Sequence, residues 1–151
     1  MRSRRALRRT LALLCLPALV AACAAGGGSA GAVDVEGDGI PAPLRGLTGD
    51  AARGRSLVAA REAANCILCH AVPGVPIAGN LAPSLAGVGS RLDAAQLRLR
   101  VVDQKRIVPT TIMPSYYRTE GLVDVAPEYR DRPVLDAQAV EDIVAWLRTL
   151  R

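Results

Sequence analysis

The chain has 151 residues, half of them hydrophobic, yet only 3% are aromatic and none is phenylalanine. Its formal charge of +5 comes from the extreme N-terminus. Of 19 Lys+Arg against 14 Asp+Glu, five are Arg2, Arg4, Arg5, Arg8 and Arg9, and without them the balance is 14 against 14. The remainder is near neutral, which removes the electrostatic support for nucleic-acid binding, and its length is that of one domain.

The leading arginines are followed by twelve apolar residues, Leu11 to Ala22, and then by small residues. This pattern predicts a secretory signal peptide over residues 1–22, too short for a membrane span, and hence an exported, periplasmic protein. Val20-Ala21-Ala22-Cys23 looks like a lipobox, whose cleavage leaves a lipid anchor on Cys23. Cleavage one or two residues later by the ordinary peptidase is the alternative. A lipidated terminus would hold the protein at a membrane surface without a span. Residues 24–32 are Ala, Gly and Ser only, and Pro41 and Pro43 follow. Residues 23–47 therefore read as a flexible linker, and the packed domain is expected over residues 48–151.

That domain reads as mainly α. A first helix is expected over about residues 50–65, with Leu57 and Val58 on one face. Gly54 sits inside it, where glycine costs about 1 kcal/mol against alanine. A close helix crossing would justify glycine there, because a missing side chain lets two backbones approach. Asp93 and Gln96 have capping-box spacing at the start of a helix expected over about residues 93–103. Two prolines in six residues, Pro109 and Pro114, exclude a regular helix between them. The last helix, over about residues 136–150, places Val140, Ile143, Val144, Leu147 and Leu150 on one stripe bordered by Trp146. Strand-like alternation and internal repeats are both lacking.

Cys66-Ile67-Leu68-Cys69-His70 closes the first helix. C-x-x-C-H is the pattern by which haem is covalently attached, two thiols bonding the haem edge and the histidine ligating iron. A redox disulfide and half a zinc site are the competing readings. Zinc needs four ligands, and no Cys or His follows His70. A thioredoxin-like site needs a βαβ context that this sequence lacks. His70, the only histidine, is thus the expected proximal ligand. Its second ring nitrogen needs an acceptor, for which the Pro83 carbonyl is the candidate. With one histidine, bis-histidine ligation is impossible. Apart from Met1, Met113 is the only methionine, 43 residues after His70 in the proline-flanked segment. It is the expected sixth ligand, with Lys105 or an open, gas-binding position as alternatives. His/Met ligation raises the haem potential and closes the iron to substrate, favouring electron transfer. One buried haem would also fill a core with only Tyr116, Tyr117, Tyr129 and Trp146 as aromatics.

These features together resemble class I cytochrome c, in which the first and last helices cross at a glycine and an aromatic; Gly54 and Trp146 are the local equivalents. Three blocks are similar to the SoxX family of sulfur-oxidation cytochromes. They are Gly79 to Arg91, Met113-Pro114-Ser115-Tyr116-Tyr117, and Ala126-Pro127-Glu128-Tyr129-Arg130 leading into Val140 to Val144. The resemblance implies a monohaem subunit paired with a SoxA-like cytochrome in an L-cysteine S-thiosulfotransferase-type heterodimer. That enzyme joins thiosulfate to a cysteine of a SoxY-like carrier protein. The catalytic haem is then expected on the partner chain, and no catalytic residue on this one. This subunit would accept the released electrons and pass them to a soluble c-type cytochrome. A freestanding cytochrome shuttle and a gas-sensing haem protein are the competing functions. If the tyrosine-rich stretch 115–130 is partner surface, it should expose apolar area; if it folds over the haem, a shuttle is easier to defend.

Overall fold

A computed structural model of the protein describes residues 33–62 and 64–151. The expected signal peptide, the Cys23 lipobox and the tether 24–32 lie outside them. Among the described residues four α-helices form the body: α1 Ala51–Ala59, α2 Val88–Arg91, α3 Ala94–Asp103 and α4 Ala137–Leu147. The described residues contain no strand, only two isolated bridges, Glu36 with Gly39 and His70 with Ala82.

Each long helix starts on an aspartate that satisfies an orphan N–H. The Asp50 carboxylate accepts from Arg53 N, Asp93 from Gln96 N and Asp136 from Ala139 N. Asp93 and Gln96 complete the reciprocal capping box, because the Gln96 amide oxygen accepts from Asp93 N. The apolar stripe of α4 is buried, with Val140, Ile143, Val144, Trp146 and Leu147 in the core beside Val58 of α1 and Leu97, Leu99, Val101 and Val102 of α3.

Helix α1 crosses α4 at Gly54. A Cβ there would stand 1.9 Å from the Asp142 carbonyl oxygen and 2.9 Å from Trp146 Cβ. The crossing is sealed at its edge by Arg53, whose Nε and Nη2 donate to the Asp142 carboxylate at 2.7 and 2.9 Å.

Helix α1 ends at Ala59, earlier than the sequence suggested, and Cys66–Leu68 forms a separate 3-10 turn. Asn65 adopts the left-handed region, φ 49, and the Ala64 carbonyl accepts from the Tyr116 hydroxyl at 2.8 Å. The helix closes where Ala60 turns to extended backbone, φ -73 and ψ 147, with its N–H still donating to Ser56 O.

The linker boundary also shifts. Residues 33–47 pack on the domain, with Ile40 and Leu44 buried in its core. The cause is a buried ion pair between α3 and α4. Arg98 donates from Nε and Nη2 to Glu141 at 2.7 and 2.9 Å, and from Nη1 to the Ile40 carbonyl at 2.6 Å. Glu141 in turn accepts from Leu44 N at 2.9 Å. The arm therefore satisfies donors and acceptors that the pair would otherwise leave buried and unmet.

Candidate haem site

The cysteine turn is fixed by its neighbours on both sides. His70 N donates to Cys66 O at 2.9 Å and closes the turn. Alongside runs the segment 79–85, with Gly79 N donating to Ile67 O at 2.7 Å, Ala82 N to Cys69 O at 2.9 Å and Leu85 N to Ala71 O at 2.9 Å. A Cβ on Gly79 would meet the Leu68 carbonyl oxygen at 2.0 Å, so only glycine lets the two backbones lie this close.

His70 Nδ1 lies 2.7 Å from the Pro83 carbonyl oxygen. A carbonyl can only accept, so Nδ1 carries the proton and Nε2 presents its lone pair. Cys66 and Cys69 form no disulfide. Burial pushes the Cys66 thiol up to about 11, which keeps it protonated near neutrality. Burial also raises the Tyr116 hydroxyl above its ordinary range, with Cys66 and Cys69 adding to the shift.

Met113 is held from α3. Ser115 Oγ donates to Asp103 Oδ1 at 2.5 Å, Arg118 Nε pairs with Asp103 Oδ2 at 2.8 Å, and Tyr117 N donates to Val102 O at 3.3 Å. Closer in, Met113 N donates to Thr111 Oγ1 at 3.1 Å. Lys105, the alternative ligand, donates its Nζ to the Thr111 carbonyl at 3.1 Å.

These residues converge. Cys66, Cys69, His70, Pro83 and Met113 line one cavity of about 550 Å³. Leu85, Val101, Tyr116 and Leu147 add apolar wall. A smaller apolar recess of about 50 Å³, reaching Val58 and Ile143, shares Cys66, His70 and Met113. The lining suits a covalently attached haem: two thiols three positions apart, a histidine, a thioether, apolar surface, and two guanidinium groups, Arg91 and Arg100, with no carboxylate.

The sequence profile of the cytochrome c family matches residues 51–151. A solved structure, SoxXA from P. pantotrophus, is similar at TM-score 0.71 and 33% identity, covering 78% of this chain and 93% of that one. The chain belongs to the cytochrome c family, in its SoxX-type, class I branch. No curated protein matches it. It is thus a mainly helical haem c domain of electron-transfer type, with one haem bonded through Cys66 and Cys69.

The roles of three contributors to this site were not legible in the sequence. Arg91 and Arg100 sit nine positions apart on separate helices, and only their shared cavity relates them. Tyr116 stood out as part of a block, but its role as a strut on Ala64 depends on a contact 52 residues away. Tyr116 and Tyr117 are buried, while Tyr129 is half-buried beneath the Arg132 guanidinium, 5.6 Å from its ring centroid. Most of the tyrosine surface therefore packs inward. Exposed apolar side chains remain in that stretch at Val123, 86% exposed, and on the cavity rim at Leu81 and Ile112, 68% and 74% exposed.

Proposed function

We propose that this chain is the electron-transfer subunit of a SoxAX-type thiosulfate-oxidising complex, with His70 and Met113 as the axial haem ligands. Similarity to the SoxXA structure over 93% of the matched chain carries this reading. When bound, the haem supplies a one-electron carrier. Pro83 orients His70 with Nε2 free, Gly79 keeps the attachment turn close to its neighbouring segment, and the Asp103 anchors hold Met113 in the cavity. A thioether ligand from Met113 would close the iron to substrate and would leave the sulfur chemistry to another chain. Joining thiosulfate to a carrier-protein thiol forms one S–S bond and releases a proton and two electrons. Their acceptor would be a soluble cytochrome, reached one electron at a time. The exposed rim residues Leu81 and Ile112 suit a protein partner at the haem cavity. We place the protein in the periplasm, exported by residues 1–22 and either free or anchored through Cys23.

Co-expression with a SoxA-like cytochrome tests the assignment. The expected result is a one-to-one complex surviving gel filtration; two separate proteins would remove the assignment. One observation favours a freestanding shuttle as the second reading: Tyr116 and Tyr117 fold inward rather than facing a partner. A shuttle would exchange electrons with several small cytochromes and form no stable complex.

A further inference from the structure

The family profile begins at residue 51, yet the arm that precedes it touches a residue of the haem cavity wall. Arg100 of α3 lines that cavity. Its Nη1 donates to the Gln96 carbonyl at 2.9 Å and to the Asp38 carbonyl at 3.4 Å, and its Nη2 stands 3.7 Å from Asp38 Oδ2. Asp38 is fixed in turn by Gln96, whose Nε2 donates to Asp38 Oδ2 at 2.8 Å. The turn carrying Asp38 is closed by the paired Glu36 and Gly39 bonds and tied to α3 by Ile40 N donating to Ala95 O at 3.0 Å. The arm thus delivers a carboxylate to a guanidinium at the cavity wall.

Charge in the cavity is one-sided. Its lining contains Arg91 and Arg100 and no carboxylate. Haem carries two carboxylates on one edge, and a guanidinium has five donors arranged to meet a carboxylate side-on. Arg91 spends donors on the carbonyls of Ala86 and Ser84 at 2.8 and 3.3 Å, and Arg100 on those of Gln96 and Asp38, so each keeps donors in reserve.

We propose that Arg100, oriented by the arm residue Asp38, binds a haem carboxylate, and that this pair sets the reduction potential of the haem. A guanidinium beside the haem disfavours the ferric state, which carries one more positive charge. Asp38 offsets part of that effect, because it shares the same guanidinium. The arm is therefore an electrostatic component of the redox centre, whichever partner receives the electron.

The test uses the holoprotein with its arm. Midpoint potential is measured by redox titration, and the haem carboxylate bands by redox-difference infrared spectroscopy. Arg100→Leu lowers the potential and shifts a carboxylate band. Arg100→Lys, keeping the charge without the fork, restores most of the potential but not the band. Asp38→Asn raises the potential and shifts the same band; in the Arg100→Leu background its effect falls by more than half. Arg130→Leu, an exposed arginine outside the cavity lining, changes neither. Unchanged potential and bands in both Arg100→Leu and Arg100→Lys overturn the proposal. An Asp38→Asn effect that is absent, or equal with and without Arg100, removes Asp38 from it.

Discussion

At the residue scale, His70 and Met113 are the groups on which the redox reading turns. Both reach the same cavity, one from the turn after α1 and the other from the proline-flanked segment anchored on Asp103. Met113→Ala is expected to convert a six-coordinate, low-spin haem into one that binds CO readily when reduced. Absorption spectra with and without CO check this, and an unchanged spectrum would take Met113 out of the coordination sphere. Gly79 is an equally sharp case for attachment. Its substitution by valine forces a side chain against the Leu68 carbonyl and drives the segment 79–85 off the cysteine turn. Gly79→Val should therefore reduce the yield of covalent holoprotein severalfold, measured by haem staining after denaturing electrophoresis.

At the scale of elements, the α1–α4 crossing organises the domain. With the Asp142 carbonyl 1.9 Å from a Cβ at position 54, no rotamer change relieves a substitution there. Gly54→Val should cost about 3 kcal/mol or more, read from denaturant melts. The buried Arg98–Glu141 pair makes a different prediction. Glu141→Ala leaves a guanidinium buried without its carboxylate and frees Leu44 N, at a cost of about 3–5 kcal/mol. Protease cleavage within 33–47 should accelerate in the same variant, because that pair fastens the arm. Both elements show what could be read in advance. The glycine inside a helical pattern and the Asp93–Gln96 spacing are local signals, and the structure shows both the crossing and the capping box. The arm is non-local: Arg98 and Glu141 stand 43 residues apart, and nothing near Pro41 or Pro43 announces that a buried ion pair will order the chain around them. The Tyr116 hydroxyl on the Ala64 carbonyl is equally non-local, 52 residues away in the chain.

At the scale of the whole molecule, stability and function have separate handles. Asp142 joins the N-terminus of α1 to α4, accepting from Asp50 N, Arg53 and Gln138. Burial pushes its carboxyl upward, but the hydrogen bonds from Arg53, Asp50 N and Gln138 outweigh burial and hold it below its ordinary range. A depressed folded-state value stabilises the fold fully above the unfolded carboxylate range, about pH 4, and is lost as pH falls through the lower folded value. The difference in Tm between wild type and Asp142→Asn should stay constant from pH 7 to about 5 and narrow in more acid solution. The redox function rests instead on the haem cavity. The haem motif was legible because its residues are adjacent; the rim was not, because Leu81 and Ile112 lie 31 positions apart and only the fold exposes them together.

The most direct measurement follows the haem absorbance of the oxidised holoprotein after mixing with thiosulfate, a SoxY-like carrier and a SoxA-like cytochrome. The account predicts reduction of this haem only when the SoxA-like partner and a carrier with its cysteine intact are both present. Reduction by thiosulfate without that partner, or no reduction with the full mixture, would contradict it.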